Sequence, residues 1–253
     1  MRKNSFLIYD SGIGGINFLI FLKSKYPFLN LTYFSDSKNA PYGNKTKEWL
    51  FNRVRENLNK INLENFDGVI FACNTISTTI LHEISACFKK VKLYGIFPRV
   101  ELAEKDSVLL VCTPLTASSV YIMKAKSTYK NLVVAPCSSL VEWVEENALT
   151  KAIFNPEKFL PKFNQSFSYV LVGCTHFCFV KNYIANFYQT NALNFGIVGM
   201  DDHFKGQADT FDHNLNFSGE KRGEICFIFE DKKRNFEIFK KFKNCVCEFD
   251  FKL

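Results

Sequence analysis

Two cysteines hold the clearest chemical potential in this chain. Cys73 closes the apolar run Gly68-Val69-Ile70-Phe71-Ala72 and is followed by Asn74-Thr75. Cys174 closes Tyr169-Val170-Leu171-Val172-Gly173 and is followed by Thr175-His176, 101 residues later. A thiol has a pKa of about 8.5 and becomes a thiolate beside a cation or a helix N-terminus. Two such groups facing one another could take a proton from one side of a carbon atom and return one to the other side. That is inversion of a stereocentre without a cofactor. It needs a site that stabilises a carbanion electrostatically and excludes water. A lone cysteine at a strand end is usually packing; the repetition argues for function.

The elements that must position these thiols follow from pattern. Runs at 6–9, 31–35, 68–72 and 92–96 read as strands, and 13–26, 47–63 and 78–90 read as helices between them. Short apolar strands separated by helices imply a mostly parallel sheet covered on both faces. The pattern then restarts. Val108 to Thr113 matches Phe6 to Ser11 at an offset of 102, and Leu132 to Ser138 matches Leu31 to Ser37 at 101. Three strands in nearly one register imply an internal duplication. The expected architecture is α/β, with two pseudo-symmetric domains, each a mostly parallel sheet flanked by helices, and an active site in the cleft between them. Residues 1–97 with about 208–253 would form the first domain and 98–207 the second, the polar stretch 204–223 returning the chain.

Ligands of open parallel sheets sit beyond the carboxyl ends of the strands. Asp10-Ser11-Gly12, Asp36 through Gly43, Cys73-Asn74-Thr75, Thr113 through Ser119 and Cys174-Thr175-His176 all fall there. The turn Asp10-Ser11-Gly12-Ile13-Gly14-Gly15 lacks the G-x-G-x-x-G spacing of a dinucleotide site, which leaves Asp36 weak as a ribose-binding acid. Its backbone N–H groups at a helix start suit a carboxylate.

Composition excludes several classes. Of the 253 residues, 47% are hydrophobic and 23% charged, as expected of a globular protein with a sizeable core. No apolar stretch approaches the roughly 18 residues that span a membrane, and the first apolar run stops at Asp10, too short for a secretory signal. A cytoplasmic location follows. An odd count of nine cysteines then reads as reduced thiols, with Cys87, Cys112 and Cys226 as small buried residues. The pair Cys245 and Cys247 has no companion cluster with zinc spacing, so no metal is expected. A net charge of +7 is spread along the chain. Phe236, Phe239 and Phe242 recur every three residues as on the inner face of a helix, and Lys232-Lys233-Arg234 with Lys240-Lys241 read as its solvated outer face rather than a nucleic-acid patch.

Together these motifs resemble the glutamate racemases of the cofactor-independent aspartate/glutamate racemase superfamily. The matching pieces are Asp10-Ser11-Gly12-x-Gly14-Gly15, Asp36 with Pro41-Tyr42-Gly43, Ala72-Cys73-Asn74-Thr75, Thr113-x-x-Thr116-x-x-Ser119 and Gly173-Cys174-Thr175-His176-Phe177. They span about residues 6 to 180 in the family's order. The Asn-Thr and Thr-His partners resemble the glutamate branch more than the aspartate branch. The resemblance implies that Cys73 and Cys174 are the catalytic acid/base pair. It also implies that Asp10, Ser11, Tyr42, Gly43, Asn74, Thr75, Thr116, Thr175 and His176 hold the substrate, with Asp10 and His176 assisting proton traffic. Glu145 occupies a place resembling the family's supporting acid, or is a surface helix residue. No cofactor is implied. The expected small-molecule substrate is glutamate, the assembly a homodimer, the role supply of D-glutamate for peptidoglycan.

Some positions depart from the family. Cys178 stands where Pro is usual, Ile96-Phe97-Pro98-Arg99 replaces an acidic turn, and Gly199-Met200-Asp201-Asp202 matches the late Ser-Gly segment poorly. These leave proton chemistry intact and bear on dimer geometry, regulation and substrate drift. The alternatives are racemisation of aspartate or another amino acid, and a silent binding paralogue. A cysteine hydrolase built on Cys174 and His176 is weaker, because side chains two apart on a strand end usually diverge.

Overall fold

The structure is a computed structural model that describes residues 4–148, 150, 152–189, 196–198, 225–229 and 251–252. The first half runs β1 (Ser5–Asp10), α1 (Ile16–Lys25), β2 (Asn30–Ser35), α2 (Lys47–Lys60), β3 (Gly68–Phe71), α3 (Asn74–Thr79), α4 (Leu81–Cys87) and β4 (Lys92–Gly95). The second runs β5 (Val108–Cys112), α5 (Pro114–Ala117), α6 (Val120–Thr128), β6 (Leu132–Pro136), α7 (Leu140–Asn147), β7 (Tyr169–Gly173), α8 (Lys181–Gln189) and β8 (Gly196–Val198). Strands β9 (Ile225–Phe229) and β10 (Phe251–Lys252) follow.

All described strand pairs are parallel. One sheet has the order β10-β9-β2-β1-β3-β4 and the other β6-β5-β7-β8. Within them, β2-β1-β3-β4 and β6-β5-β7-β8 have the same topology, so β3 and β7 are counterparts. The duplication read from the spacing is therefore a duplication of sheet position. Every residue of β1, β3 and β5 is buried, as parallel strands covered on both faces require. One apolar cluster joins the halves, containing Ile8, Leu31 and Ile70 from one sheet and Leu109, Val111 and Val170 from the other.

Local chemistry sets several helix starts. Thr46 caps α2 by accepting the Trp49 N–H, Thr113 caps α5 with Pro114 next to it, and Ser119 caps α6. The helix expected at 78–90 differs. It begins at Asn74, breaks at Ile80 and resumes as α4. Ser77 Oγ donates back to Cys73 O at 3.0 Å and Thr78 Oγ1 to Asn74 O at 2.8 Å, a pattern that bends helices. The helix expected from residue 13 starts only at Ile16, because 11–15 form a turn against the other half.

Cys87 is exposed, contrary to its reading as a buried residue, because it ends the short α4 at the surface. Cys112 is buried and Cys226 half-buried. The phenylalanine-spaced basic helix, Cys245 and Cys247, 199–202 and 204–223 lie outside the described residues. No helix among the described residues is long and apolar enough to cross a membrane.

Candidate active site

Cys73 follows β3 and Cys174 follows β7, so the counterpart strands deliver both thiols at their carboxyl ends. Asp10, at the end of β1, belongs to the same edge. Asp10, Ser11, Tyr42, Cys73, Asn74, Thr75, Thr116, Cys174, Thr175 and His176 are all 5% exposed or less. Burial of this kind supplies the dry environment in which electrostatic stabilisation is strong.

The turn after β1 is where the halves meet. Asp10 Oδ1 accepts the Gly12 N–H at 2.8 Å, and Oδ2 accepts the Thr175 hydroxyl at 3.1 Å. Ile13 N donates to Glu145 Oε1 at 2.9 Å. The turn does hold a carboxylate, as its N–H groups suggest, but that carboxylate is the protein's own Glu145. A Cβ on Gly12 would fall 1.8 Å from Glu145 Oε1, and one on Gly14 would fall 2.3 Å from Thr175 Oγ1. These glycines serve close approach; no described glycine has a positive φ.

His176 connects this turn to the second cysteine. Its Nε2 meets Glu145 Oε1 at 2.5 Å and its Nδ1 lies 3.9 Å from Cys174 Sγ. The side chains of Cys174 and His176 therefore do not diverge. The residues after Cys174 form a 3-10 turn, Thr175–Val180, which brings the imidazole back beside the sulfur. Glu145 is not a surface residue of α7; its side chain is almost fully buried. Cys178, in the same turn, is half-buried and packs on the apolar core.

The first cysteine has different company. Cys73 Sγ lies 4.0 Å from Ser11 Oγ. Burial pushes its thiol far above the ordinary range and the Asp10 carboxylate adds to this, while the Ile76 N–H of α3 pulls weakly the other way. The helix N-terminus expected to lower it is outweighed. Burial also raises Asp10 to about 6, with His176 opposing. For His176 burial lowers the pKa, but the hydrogen bonds with Cys174 and Glu145 outweigh it and lift it well above the imidazole range.

Asn74 donates its Nδ2 to Ile96 O at 3.3 Å, while its buried Oδ1 has no partner among the described residues. Thr75, Thr113 and Thr116 form a triangle of hydroxyls, 3.0, 3.0 and 3.3 Å on its sides. Gly43 lies against this group, since a Cβ there would sit 2.3 Å from Thr113 Cβ.

Tyr42 turns its side chain into the first half. Its hydroxyl donates to Asp36 and pairs with Tyr9 OH at 3.1 Å, deep within the first half. Asp36 is held by Arg53 through two bonds of 2.6 and 2.7 Å and by Asn57 at 3.3 Å. This is a bidentate buried ion pair, not a ribose site. Arg53 and Asn57 escaped sequence reasoning; their only signal is four-residue spacing on α2 beneath Asp36. Among the described residues no group of three His, Cys, Asp or Glu could hold a metal.

The chain is similar to known proteins along most of its length. The chain is 30% identical over 247 residues to the glutamate racemase of Clostridium novyi (strain NT), covering 92% of itself and 93% of that protein. The chain belongs to the glutamate racemase family. A second family member, from Clostridium acetobutylicum, is 29% identical over 231 residues, covering 87% and 90%. No protein-family model matches the chain. Among solved structures, glutamate racemase from Francisella tularensis in complex with D-glutamate superposes with a TM-score of 0.79 at 21% identity, covering 100% of this chain and 98% of that one. The Escherichia coli glutamate racemase, in complex with L-glutamate and the activator UDP-MurNAc-ala, gives 0.76 at 16%, covering 99% and 97%. Both share its α/β fold of parallel sheets flanked by helices.

Proposed function

We propose that this protein interconverts L- and D-glutamate, with Cys73 and Cys174 as the two acid/base groups. The observation that carries the reading is the pair of buried thiols at the ends of counterpart strands, each with its own acid/base neighbours. One cysteine, as thiolate, takes the Cα proton; the opposite thiol delivers its proton to the other face. The cysteines exchange protonation states, the bond to hydrogen is remade with inverted configuration, and no electrons leave the substrate.

The remaining residues suit an amino acid. A substrate ammonium would satisfy Asn74 Oδ1 and the Asp10 carboxylate. Ser11, Thr75, Thr175 and the Tyr42-Gly43 backbone would supply donors for two carboxylates, with the Thr116 hydroxyl standing behind Thr75 and donating to it. His176 would hold charge or pass a proton at the Cys174 side, oriented by Glu145. Supply of D-glutamate for peptidoglycan belongs to the same proposal. So does the division into 1–97 with 208–253 and 98–207, which the pairing of β9 with β2 supports. A homodimer is also part of it, testable as twice the chain mass in light scattering.

The deciding experiment is proton NMR with L-glutamate in heavy water, no cofactor added, for the wild type, Cys73→Ala and Cys174→Ala. The wild type should lose the Cα signal and form D-glutamate, and each variant should racemise at least about a thousandfold more slowly while melting as the wild type does. Normal racemisation by either variant would remove the two-thiol assignment. A wild type inactive on glutamate but active on aspartate would change the substrate.

A further inference from the structure

Resting on the racemase reading above, we infer that Thr113 heads a three-hydroxyl relay across the join between the halves and aims the Thr75 hydroxyl at a substrate carboxylate. Thr113 is a positioning residue: it acts through Thr116 and Thr75 and does not itself meet the substrate.

The three side chains come from both halves. Thr75 follows Cys73 at the start of α3, Thr113 caps α5, and Thr116 lies within α5. All three are buried. Thr113 Oγ1 donates to Thr116 Oγ1 at 3.0 Å, Thr116 Oγ1 donates to Thr75 Oγ1 at 3.3 Å, and Thr75 and Thr113 are 3.0 Å apart. Three hydroxyls carry three protons. A closed triangle directs all of them inward and offers none to a ligand.

A carboxylate has only acceptor positions, so it needs one proton turned outward. Rotating the Thr75 hydroxyl breaks one side and leaves the chain Thr113 to Thr116 to Thr75 intact. Each donor in such a chain polarises the next, which strengthens the last bond. Thr113 is the member least able to turn. Its oxygen accepts the Thr116 N–H at 3.3 Å as the helix cap, and its Cβ and Cγ2 press against Gly43. The head of the relay is fixed by backbone on one side and by the Pro41-Tyr42-Gly43 turn on the other.

The test compares steady-state kinetics and melting of the wild type, Thr113→Val and Thr113→Ser. Valine keeps the shape and removes the hydroxyl; serine keeps the hydroxyl and removes the methyl. Because the lost bond serves ground and transition states alike, Thr113→Val should raise KM for both enantiomers roughly five- to tenfold while kcat stays within about twofold. Thr113→Ser should return KM to within about twofold of wild type. An unchanged KM in Thr113→Val overturns the relay. So does a serine variant as weak as valine, which would assign the effect to the methyl on Gly43. So does a fall of kcat and melting temperature with no rise in KM, the mark of packing alone. A wild type inactive on glutamate would remove the racemase reading itself, and it is measured first on the same sample.

Discussion

The two cysteine ends are equal in fold and unequal in chemistry. Strands β3 and β7 occupy the same place in their sheets, and each releases a buried thiol into the join. Around Cys73 stand a hydroxyl and a carboxylate, Ser11 and Asp10, and burial with that negative charge holds the thiol protonated. Beside Cys174 stands His176, whose hydrogen bonds with Cys174 and Glu145 raise its proton affinity well above that of a free imidazole. A cation beside sulfur can bear a thiolate's charge or return its proton. Duplication thus supplies two positions, and the residues that arrive from elsewhere set what each position does. In the proposed two-thiol reaction acid and base exchange roles with direction, so each end must serve as both from unlike surroundings.

The largest break of this comparison is at His176. His176→Asn removes the imidazole beside Cys174 and one of the hydrogen bonds to Glu145. Stopped-time polarimetry should show kcat/KM falling about a hundredfold to a thousandfold. Because enantiomers have an equilibrium constant of one, the loss must be equal in both directions. Asymmetry should appear instead in the primary deuterium isotope effect, larger in the direction that uses Cys174 as base. Equal isotope effects in both directions would mean that the ends are not chemically distinct.

Asp10 gives the next effect, at the other end. The wild-type kcat/KM should fall on the acid side of about pH 6, where this carboxylate gains a proton, and Asp10→Asn should lack that limb. Stability should move oppositely to activity. Folded Asp10 holds its proton more tightly than the unfolded chain, so it favours folding below the unfolded carboxyl value of about 4. That advantage is lost as pH rises through about 6. At about pH 7.5 the buried charge therefore costs on the order of 2 to 3 kcal/mol. Asp10→Asn should melt higher than wild type there, with the gap closing between about pH 6 and pH 4. A variant less stable at every pH would contradict this.

Tyr42→Phe is the smallest change and sharpens the view of the first half. It removes the hydroxyl from Asp36 and Tyr9 but leaves the ring and backbone. Denaturant unfolding should show a loss of about 1 to 2 kcal/mol, with KM within about twofold. A KM raised more than tenfold would show that the hydroxyl reaches substrate after all.

Much of the scaffold was legible in the chain. Strands read at 6–9, 31–35, 68–72 and 92–96 lie within a residue or so of β1, β2, β3 and β4, since apolar runs between turn signals are local properties. Helix limits were harder. The start of α1 depends on how closely Thr175 and His176 approach Gly14, and the break at Ile80 on hydroxyls bonding back to their own helix. Asp36 read only weakly as a ribose-binding acid, and its real partner, Arg53, comes from a helix whose facing side no short window reveals.

From the sequence alone came the repeated strand-and-cysteine unit, the order of polar clusters at strand ends, and hence the type of fold and the two thiols. Those are set within a few residues of each position. The acidity of each group was decided only by tertiary structure. Glu145 reaches Ile13 across 132 positions and Thr175 reaches Asp10 across 165. Proton affinity depends on burial and on charges a few ångströms away. No local pattern encodes which distant side chains will be there, so the difference between the two cysteines exists only in the folded molecule.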